Sequence, residues 1–159
     1  MKFNKILTII LLLCVICVAA SGIVFAATGQ FENGVNFTFP SGFSEDTNDG
    51  DAGVTLQNAN QDVILLVTSN VTNISSEVSS NKTYTIGTAL VEEDKLADTS
   101  NGITYAYFIK KSDKEYQVIA TMTSDSNWKV DDSKNPVNQI IVSIDSKNSE
   151  DNGFFGIKI

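Results

Sequence analysis

The stretch ITYAYFIKKSDKEYQVIATMT, residues 103–123, decides the fold of this chain. In its first half, large apolar side chains stand at every second position: Ile103, Tyr105, Tyr107 and Ile109. The second half repeats the pattern with Tyr116, Val118, Ala120 and Met122. Between the halves lies the polar sequence Lys111-Ser112-Asp113-Lys114. A period of two is typical of strands with one buried face, so the stretch predicts a β-hairpin in the middle of an antiparallel sheet.

Shorter segments on both sides of the hairpin predict the other strands. Alternating patterns or apolar runs mark residues 35–39, 54–57, 63–68 and 84–91, and residues 91–97 favour an extended segment, with a helix as the alternative. Residues 63–67 are continuously apolar, which is typical of a strand that is covered on both faces. The polar stretch 44–53 predicts a surface loop, and Asn73 is positioned to cap a short helix over 73–80.

One helix has a clear sequence signature near the end of the chain. Asn135 is a suitable N-cap, Pro136 fits the first helical position, and an apolar stripe follows, made by Val137, Ile140, Ile141 and Ile144. The sequence therefore predicts an α+β fold, with an antiparallel sheet of five to seven strands and a C-terminal helix at about 135–144 packed on it.

The order of these elements also predicts the domain boundaries. Residues 1–26 form a signal peptide or membrane anchor, and 27–34 form a lead-in to the first strand. A single α+β domain covers 35–144. A polar linker and an apolar tail occupy 145–159, and the tail either adds an edge strand or packs as a lid.

The N-terminal segment indicates export. An uncharged apolar run, residues 6–27, follows Lys2 and Lys5. A basic start, an apolar core and small residues are typical of a secretory signal peptide, here with cleavage between Ala26 and Ala27. The run also exceeds the roughly 20 residues needed to cross a bilayer, so an uncleaved transmembrane helix is the alternative. Both alternatives place the domain outside the cell or on the outer face of the cell membrane.

Charge and composition exclude several functions. The chain carries a net charge of −8, with nineteen acidic residues, no histidine and only lysine as a basic residue. Such an acidic domain repels phosphate backbones, so we expect no nucleic-acid partner. Without histidine, Ser-His-Asp and Cys-His catalysis and histidine-ligated zinc are excluded. The only cysteines, Cys14 and Cys17, lie in the export segment, so the exported part has no disulfide.

The best candidate for a metal site is the acidic stretch between residues 45 and 51. Hard oxygen ligands for Ca²⁺ are offered by Asp46, Asn48, Asp49 and Asp51. The spacing departs from the EF-hand pattern, and a solvated acidic loop is the alternative interpretation. We therefore expect no cofactor, with calcium as the alternative.

Three N-x-Ser/Thr sequons cluster in one polar stretch. They begin at Asn70, Asn73 and Asn81, and in an exported protein they are candidates for N-glycosylation. A fourth, at Asn36, lies in a predicted strand, which makes it the weakest candidate.

The sequence Phe37-Thr38-Phe39-Pro40-Ser41-Gly42-Phe43 resembles the opening of small PsbP/Mog1/DcrB-like domains. These domains continue with hairpins and close with a helix, and the order of elements over residues 35–144 is similar. The signal peptide, the lysine-only cations and the Asn/Ser/Thr richness also resemble exported proteins of methanogenic archaea. The resemblance implies an antiparallel sheet sandwiched by helices, in domains that serve mostly as accessory, binding or assembly factors.

Together these features predict a secreted or membrane-tethered, non-catalytic surface domain that binds a protein, a glycan or another cell-envelope partner. The first alternative is an enzyme that uses calcium or a carboxylate pair, drawn from Asp46, Asp49, Glu92 and Glu93. The second is an extracytoplasmic sensory or assembly-accessory domain with an apolar groove beside Tyr105 and Tyr107.

Overall fold

The computed structural model describes residues 26–48, 53–74, 77–96 and 102–144. Within these ranges the chain forms nine strands and one helix. The strands are β1 (Thr28–Gln30), β2 (Asn36–Thr38), β3 (Phe43–Asn48), β4 (Val54–Asn58), β5 (Val63–Thr68), β6 (Val78–Ile86), β7 (Ala89–Leu96), β8 (Ile103–Lys111) and β9 (Lys114–Met122). The helix, α1, is Pro136–Ser143.

Seven of the strands form one antiparallel sheet in the order β3-β4-β5-β9-β8-β7-β6. Strands β1 and β2 pair separately as a two-stranded antiparallel ribbon. The predicted α+β class and strand number are confirmed. The 103–123 hairpin is also confirmed, because its two strands are β8 and β9, and β9 is the central strand of the sheet.

The core lies on one face of the sheet, called here the inner face. Register aligns Val67, Val118 and Tyr107 in one row across this face, and all three are fully buried. Helix α1 and the β1–β2 ribbon cover it. Phe31 follows the first strand of the ribbon and places its ring 4.5 Å from the ring of Tyr116, measured between centroids. The ribbon therefore closes the part of the core that the short helix does not reach.

Helix α1 begins and ends as its sequence predicts. The Asn135 side-chain oxygen accepts a hydrogen bond from the backbone N–H of Val137 at 2.9 Å. At the other end, the buried Lys111 Nζ donates to the carbonyl oxygens of Ile141 and Ile144, at 3.1 and 2.7 Å. A positive charge at a helix C-terminus satisfies carbonyl groups that have no partner within the helix.

Three predictions of local structure were wrong. The expected loop over 44–53 contains β3, a polar strand at one end of the sheet, which pairs through its backbone with β4. The expected helix over 73–80 does not form, because β6 begins at Val78 and pairs with β7. The single strand expected over 84–91 is divided by a turn at Gly87, where φ is +59°. Backbone pairing overrides weak local helix signals in such exposed, polar segments.

The continuously apolar strand β5 is not covered on both faces. Its residues Leu65 and Val67 are buried on the inner face, but Ile64 points to the opposite, outer face and is 42% exposed. The outer face also carries Leu66, Phe108 and Ile119, which are half-buried. This face is therefore apolar yet partly open to solvent.

The predicted export segment lies largely outside the described residues. Ala26 and Ala27 are exposed, and the carbonyl oxygen of Ala27 accepts a hydrogen bond from the Phe39 backbone N–H at 2.7 Å. The lead-in 27–34 contains β1. In the described part of the chain, no helix has the length and apolar character needed to cross a membrane. Residues 1–25 and the tail 145–159 are outside this description.

Candidate functional site

A cleft of about 540 Å³ lies on the outer face of the sheet. Its floor is formed by neighbouring outer-facing residues of β6, β7 and β8. Phe108 stands opposite Glu92, which stands opposite Thr83, and Lys110 stands opposite Leu90 in the next row. Residues of the segment that follows β5 form its wall.

That wall, residues 69–74, is fastened to the sheet by the side chain of Gln117. Gln117 is fully buried on the outer face of β9. Its Nε2 donates to the Thr72 carbonyl oxygen at 2.9 Å, and its Oε1 accepts from the Thr72 backbone N–H at 3.2 Å. Paired donor and acceptor bonds from one amide fix the segment at a defined height above the sheet.

A second contact holds the start of the same segment. The Glu32 carboxylate accepts hydrogen bonds from Thr68 Oγ1 at 2.8 Å and from the Ser69 backbone N–H at 2.7 Å. Burial opposes ionisation of Glu32, but the hydrogen bonds from Ser69 and Thr68 outweigh it, so the pKa of Glu32 lies below its ordinary value. The wall of the cleft is thus tied both to the sheet and to the turn of the β1–β2 ribbon.

The cleft combines exposed apolar area with carboxylates. Leu90 is 54% exposed and Val71 is 36% exposed, so both present carbon surface to solvent. Beside them, Glu92 Oε1 and Asp94 Oδ1 each accept a hydrogen bond from Asn81 Nδ2, at 2.7 and 2.5 Å. One amide thus holds two carboxylates side by side, and one oxygen of each is left to meet a ligand.

A cavity of about 640 Å³ adjoins this cleft at the tip of the β8–β9 hairpin. The two share Val71, Lys110 and Glu115 as lining residues. Lys110 and Glu115 are cross-strand neighbours, so their opposite charges lie at the same end of the cleft. The net negative end of the cleft is therefore the one formed by Glu92 and Asp94.

The inner face holds a different polar cluster, which is closed. Trp128 Nε1 donates to the phenolic oxygen of the fully buried Tyr107 at 2.6 Å, and the Glu93 carboxylate lies close enough to Tyr107 to act on it electrostatically. Tyr84 also donates to Glu93, at 3.3 Å. Burial raises the pKa of Tyr107 well above its ordinary value, opposed by the bond from Trp128 and assisted by the Glu93 carboxylate. Tyr107 therefore stays protonated, and its phenolic oxygen anchors the Trp128 indole.

A neighbouring contact links the same face to the 124–130 loop. Asp125 Oδ2 accepts from Lys95 Nζ at 2.9 Å and from the Tyr105 hydroxyl at 2.7 Å. These two donors, Lys95 first, lower the pKa of Asp125 below its ordinary value. The Tyr105 and Tyr107 rings are stacked with centroids 6.1 Å apart. Tyr105 and Tyr107 therefore pack on the inner face of the sheet. The cleft lies on the outer face and not beside these tyrosines, where a groove was predicted.

The carboxylate pairs considered for catalysis are not brought together where the structure describes them. Glu92 and Glu93 are consecutive on β7 and point to opposite faces, with Glu93 only 5% exposed. Asp46 lies on β3, at the far end of the sheet from β7. Asp49 lies outside the described residues.

The calcium candidates are only partly described. Asp46 is exposed, and its Oδ1 accepts a hydrogen bond from Gln57 Nε2 at 3.1 Å. Asn48 is the last residue of β3, while Asp49 and Asp51 lie outside the described ranges. Over the four described stretches, no group of three or more acidic side chains is arranged to hold a metal ion. Calcium binding by this stretch stays a prediction.

The three clustered sequons differ in their surroundings. Asn70, Asn73 and Asn81 all have exposed side chains. Asn73 lines the cleft, whereas the side-chain nitrogen of Asn81, to which a glycan would be attached, is already hydrogen-bonded to Glu92 and Asp94. Of the three, Asn70 is thus the acceptor whose modification leaves the cleft unchanged.

The cleft itself was not predicted, because its residues come from five separate elements that are united by strand register and by the fastening of Thr72 to Gln117. One signal was present in the sequence. If residues 89–96 form a strand, the period of two places Leu90, Glu92 and Asp94 on one face and Val91 and Glu93 on the other.

Comparisons with protein-family models, with curated proteins and with solved structures find no match for this chain. The resemblance to PsbP/Mog1/DcrB-like domains therefore stays a prediction.

Proposed function

We propose that this chain is an exported, non-catalytic domain that binds a cell-envelope partner through the outer face of its sheet. The observation that carries the proposal is the cleft, where Leu90 and Val71 remain exposed beside the half-buried Phe108. Concave surfaces with apolar walls and a few polar groups are the usual binding sites of proteins. The export segment predicted at 6–27 supports a location on or outside the membrane.

Two further features support binding over chemistry. The Gln117 and Glu32 side chains hold the wall of the cleft through hydrogen bonds to its backbone. They position the wall and do not face the cleft. The catalytic alternative required a pair among four named carboxylates, and the described members of that set lie apart. A rigid, preformed cleft lowers the entropic cost of binding.

Site-specific photo-crosslinking in the producing cells tests this proposal. A photoreactive amino acid replaces Leu90, which is in the cleft, and in a matched control it replaces Val142, an equally exposed apolar residue on α1 (59% against 54% exposed). We expect a discrete adduct from position 90 and none from position 142, with the partner identified by mass spectrometry of the adduct. Adducts from position 142 alone, or from neither position, contradict the proposal.

A further inference from the structure

We propose that the cleft binds a peptide segment that carries a basic side chain next to an apolar one. This inference rests on the proposed function and names the class of its partner. The occupant places an ammonium or guanidinium group against the Glu92 and Asp94 carboxylates and an aliphatic or aromatic side chain on Leu90 and Phe108.

The carboxylate end of the cleft selects the charge of the partner. Asn81 donates to one oxygen of each carboxylate and holds both on the outer face. Two anionic groups in one place, with no arginine in the chain and Lys110 set beside Glu115 at the other end, leave a local excess of negative charge. A cation that donates hydrogen bonds to the two remaining oxygens relieves this repulsion, whereas an anionic partner adds to it.

The middle of the cleft selects the apolar side chain of the bound peptide. Leu90 and Val71 offer aliphatic surface, and Phe108 lies between Glu92 and Gln117 in the row across the sheet. Burying such surface against an apolar side chain is favourable by about 25 cal/mol per Å². Aliphatic walls suit a side chain better than a sugar, which is usually bound by stacking on an open aromatic ring. The apolar and anionic parts are adjacent on β7 at positions 90, 92 and 94, a period that matches alternate residues of an extended peptide.

The charge of the whole chain acts in the same direction. A net charge of −8 attracts a basic segment over distance and speeds its encounter with the cleft. The same charge disfavours a second copy of this chain as the occupant. The segment 154–159 of the same chain, which contains Phe154, Phe155 and Lys158, has suitable chemistry, and its occupancy is an outcome of the test below.

The test uses the full chain and a synthetic, end-capped peptide of alternating lysine and leucine as the probe. Binding is measured by fluorescence anisotropy at about 0.05 and 0.5 M salt, because screening separates charge from apolar contact. We expect saturable binding that weakens at high salt. It should weaken about five-fold or more in Glu92→Gln/Asp94→Asn and in Leu90→Ser, each relative to the unchanged chain.

Matched controls isolate the cleft. Glu45→Gln/Asp131→Asn changes the net charge equally, at exposed positions on β3 and in the 130–132 turn, and should bind the probe as the unchanged chain does. Peptides with glutamate in place of lysine, or serine in place of leucine, should bind at least ten-fold more weakly. Equal binding of the glutamate-containing or the serine-containing peptide overturns the inference, and so does an equal loss of binding in the control double variant.

Other occupants give distinct results. An oligosaccharide that binds the cleft when the peptide does not, a dimer that Leu90→Ser dissociates, or tight probe binding only after removal of 154–159 each overturns the inference. If position 90 still gives a cellular adduct in these cases, the proposed binding function stands and only the partner class is wrong. If position 90 gives no adduct and no probe binds, both fail.

Discussion

The indole Nε1 of Trp128 lies 2.6 Å from the phenolic oxygen of Tyr107 and donates a hydrogen bond to it. The Glu93 carboxylate, which is almost completely buried, lies near Tyr107 and accepts a hydrogen bond from the Tyr84 hydroxyl at 3.3 Å. The bond between Trp128 and Tyr107 joins the 124–130 loop to the centre of the sheet, on the face that holds this carboxylate.

The substitution Tyr107→Phe tests the bond between Trp128 and Tyr107. It leaves the Trp128 N–H without its acceptor and removes a polar group near the buried Glu93 carboxylate, so we expect a loss of about 2 kcal/mol in the free energy of unfolding. The matched variant Tyr84→Phe removes a longer bond to the same carboxylate, 3.3 Å, from a half-buried ring, and should cost less than about 1 kcal/mol. Trp128 is the only tryptophan, so urea unfolding followed by its fluorescence reports this site directly. Equal losses in the two variants contradict the assignment.

The buried Lys111 provides a second prediction. Lys111→Met removes the donor that reaches the carbonyl oxygens of Ile141 and Ile144, and we expect a loss of about 2 kcal/mol and faster hydrogen exchange in α1. Lys110→Met, one residue earlier and on the outer face, is the control and should change stability by less than about 0.5 kcal/mol. If Lys111→Met is as stable as the unchanged chain, the cost of burying the ammonium group equals the benefit of its bonds.

The lowered pKa of Glu32 makes part of the stability depend on pH. Because the pKa in the folded state lies below the ordinary value of 4.5, the contribution of Glu32 is present above about pH 4.5 and is lost as the pH falls through the folded-state pKa. The variant Glu32→Gln should therefore be less stable by about 1 kcal/mol at pH 7 and should differ less at pH 3.5. Urea unfolding at both values measures this. Glu45→Gln, on the exposed strand β3, is the matched control; a constant difference between the Glu32 variant and the unchanged chain at both pH values argues against the role given to Glu32.

Gln117 fixes the wall of the cleft, and its removal should loosen that wall without unfolding the sheet. Gln117→Met keeps a similar volume but cannot bind the Thr72 backbone, so we expect hydrogen exchange of residues 69–74 to accelerate about ten-fold or more, since each lost bond is worth about 1 kcal/mol. Ile119→Met, two residues along the same face of β9, removes no hydrogen bond and should leave the exchange of that segment unchanged. Exchange that is unaffected by Gln117→Met means that Glu32 alone holds the wall.

The intact mass of the protein purified from its own cells tests the processing predictions together. Cleavage between Ala26 and Ala27 gives a mass that starts at Ala27, whereas an intact anchor gives one that starts at Met1. If glycans are present, we expect them at Asn70 rather than Asn81, whose nitrogen is already bonded to two carboxylates. Peptide mapping that finds a glycan at Asn81 contradicts that preference.

The sequence predicted the elements with a strong period and missed those without one. The hairpin of β8 and β9 and helix α1 each bury one face, so apolar residues recur at intervals of two or of three and four. Strand β6 is exposed over most of its length, so neither interval is present and its Ser/Asn/Thr content indicated a helix or a loop. Strand β3 is likewise polar and is held by backbone hydrogen bonds to β4. Backbone pairing of this kind leaves no pattern of side chains in the sequence.

The candidate site was even less accessible to prediction. Val71, Leu90 and Phe108 are far apart in sequence and meet only through the register of β7 with β8 and the fastening of Thr72 to Gln117. Glu92, Glu93 and Asp94 are consecutive in the sequence, yet the strand places Glu93 in the core and the other two in the cleft. The alternation of side chains along a strand would have separated Glu93 from Glu92 and Asp94, but only once the segment was known to be a strand.

The position of Lys82 at the middle of β6 affects how two copies of the domain could associate through their sheet edges. Strand β6 is the last strand of the described sheet, nine residues long, with its backbone edge unpaired by the other described strands. If two copies met along the full length of this edge in antiparallel fashion, their two Lys82 side chains would stand directly opposite each other, which is unfavourable. A single lysine at the centre of β6 thus disfavours this edge-to-edge pairing of two copies.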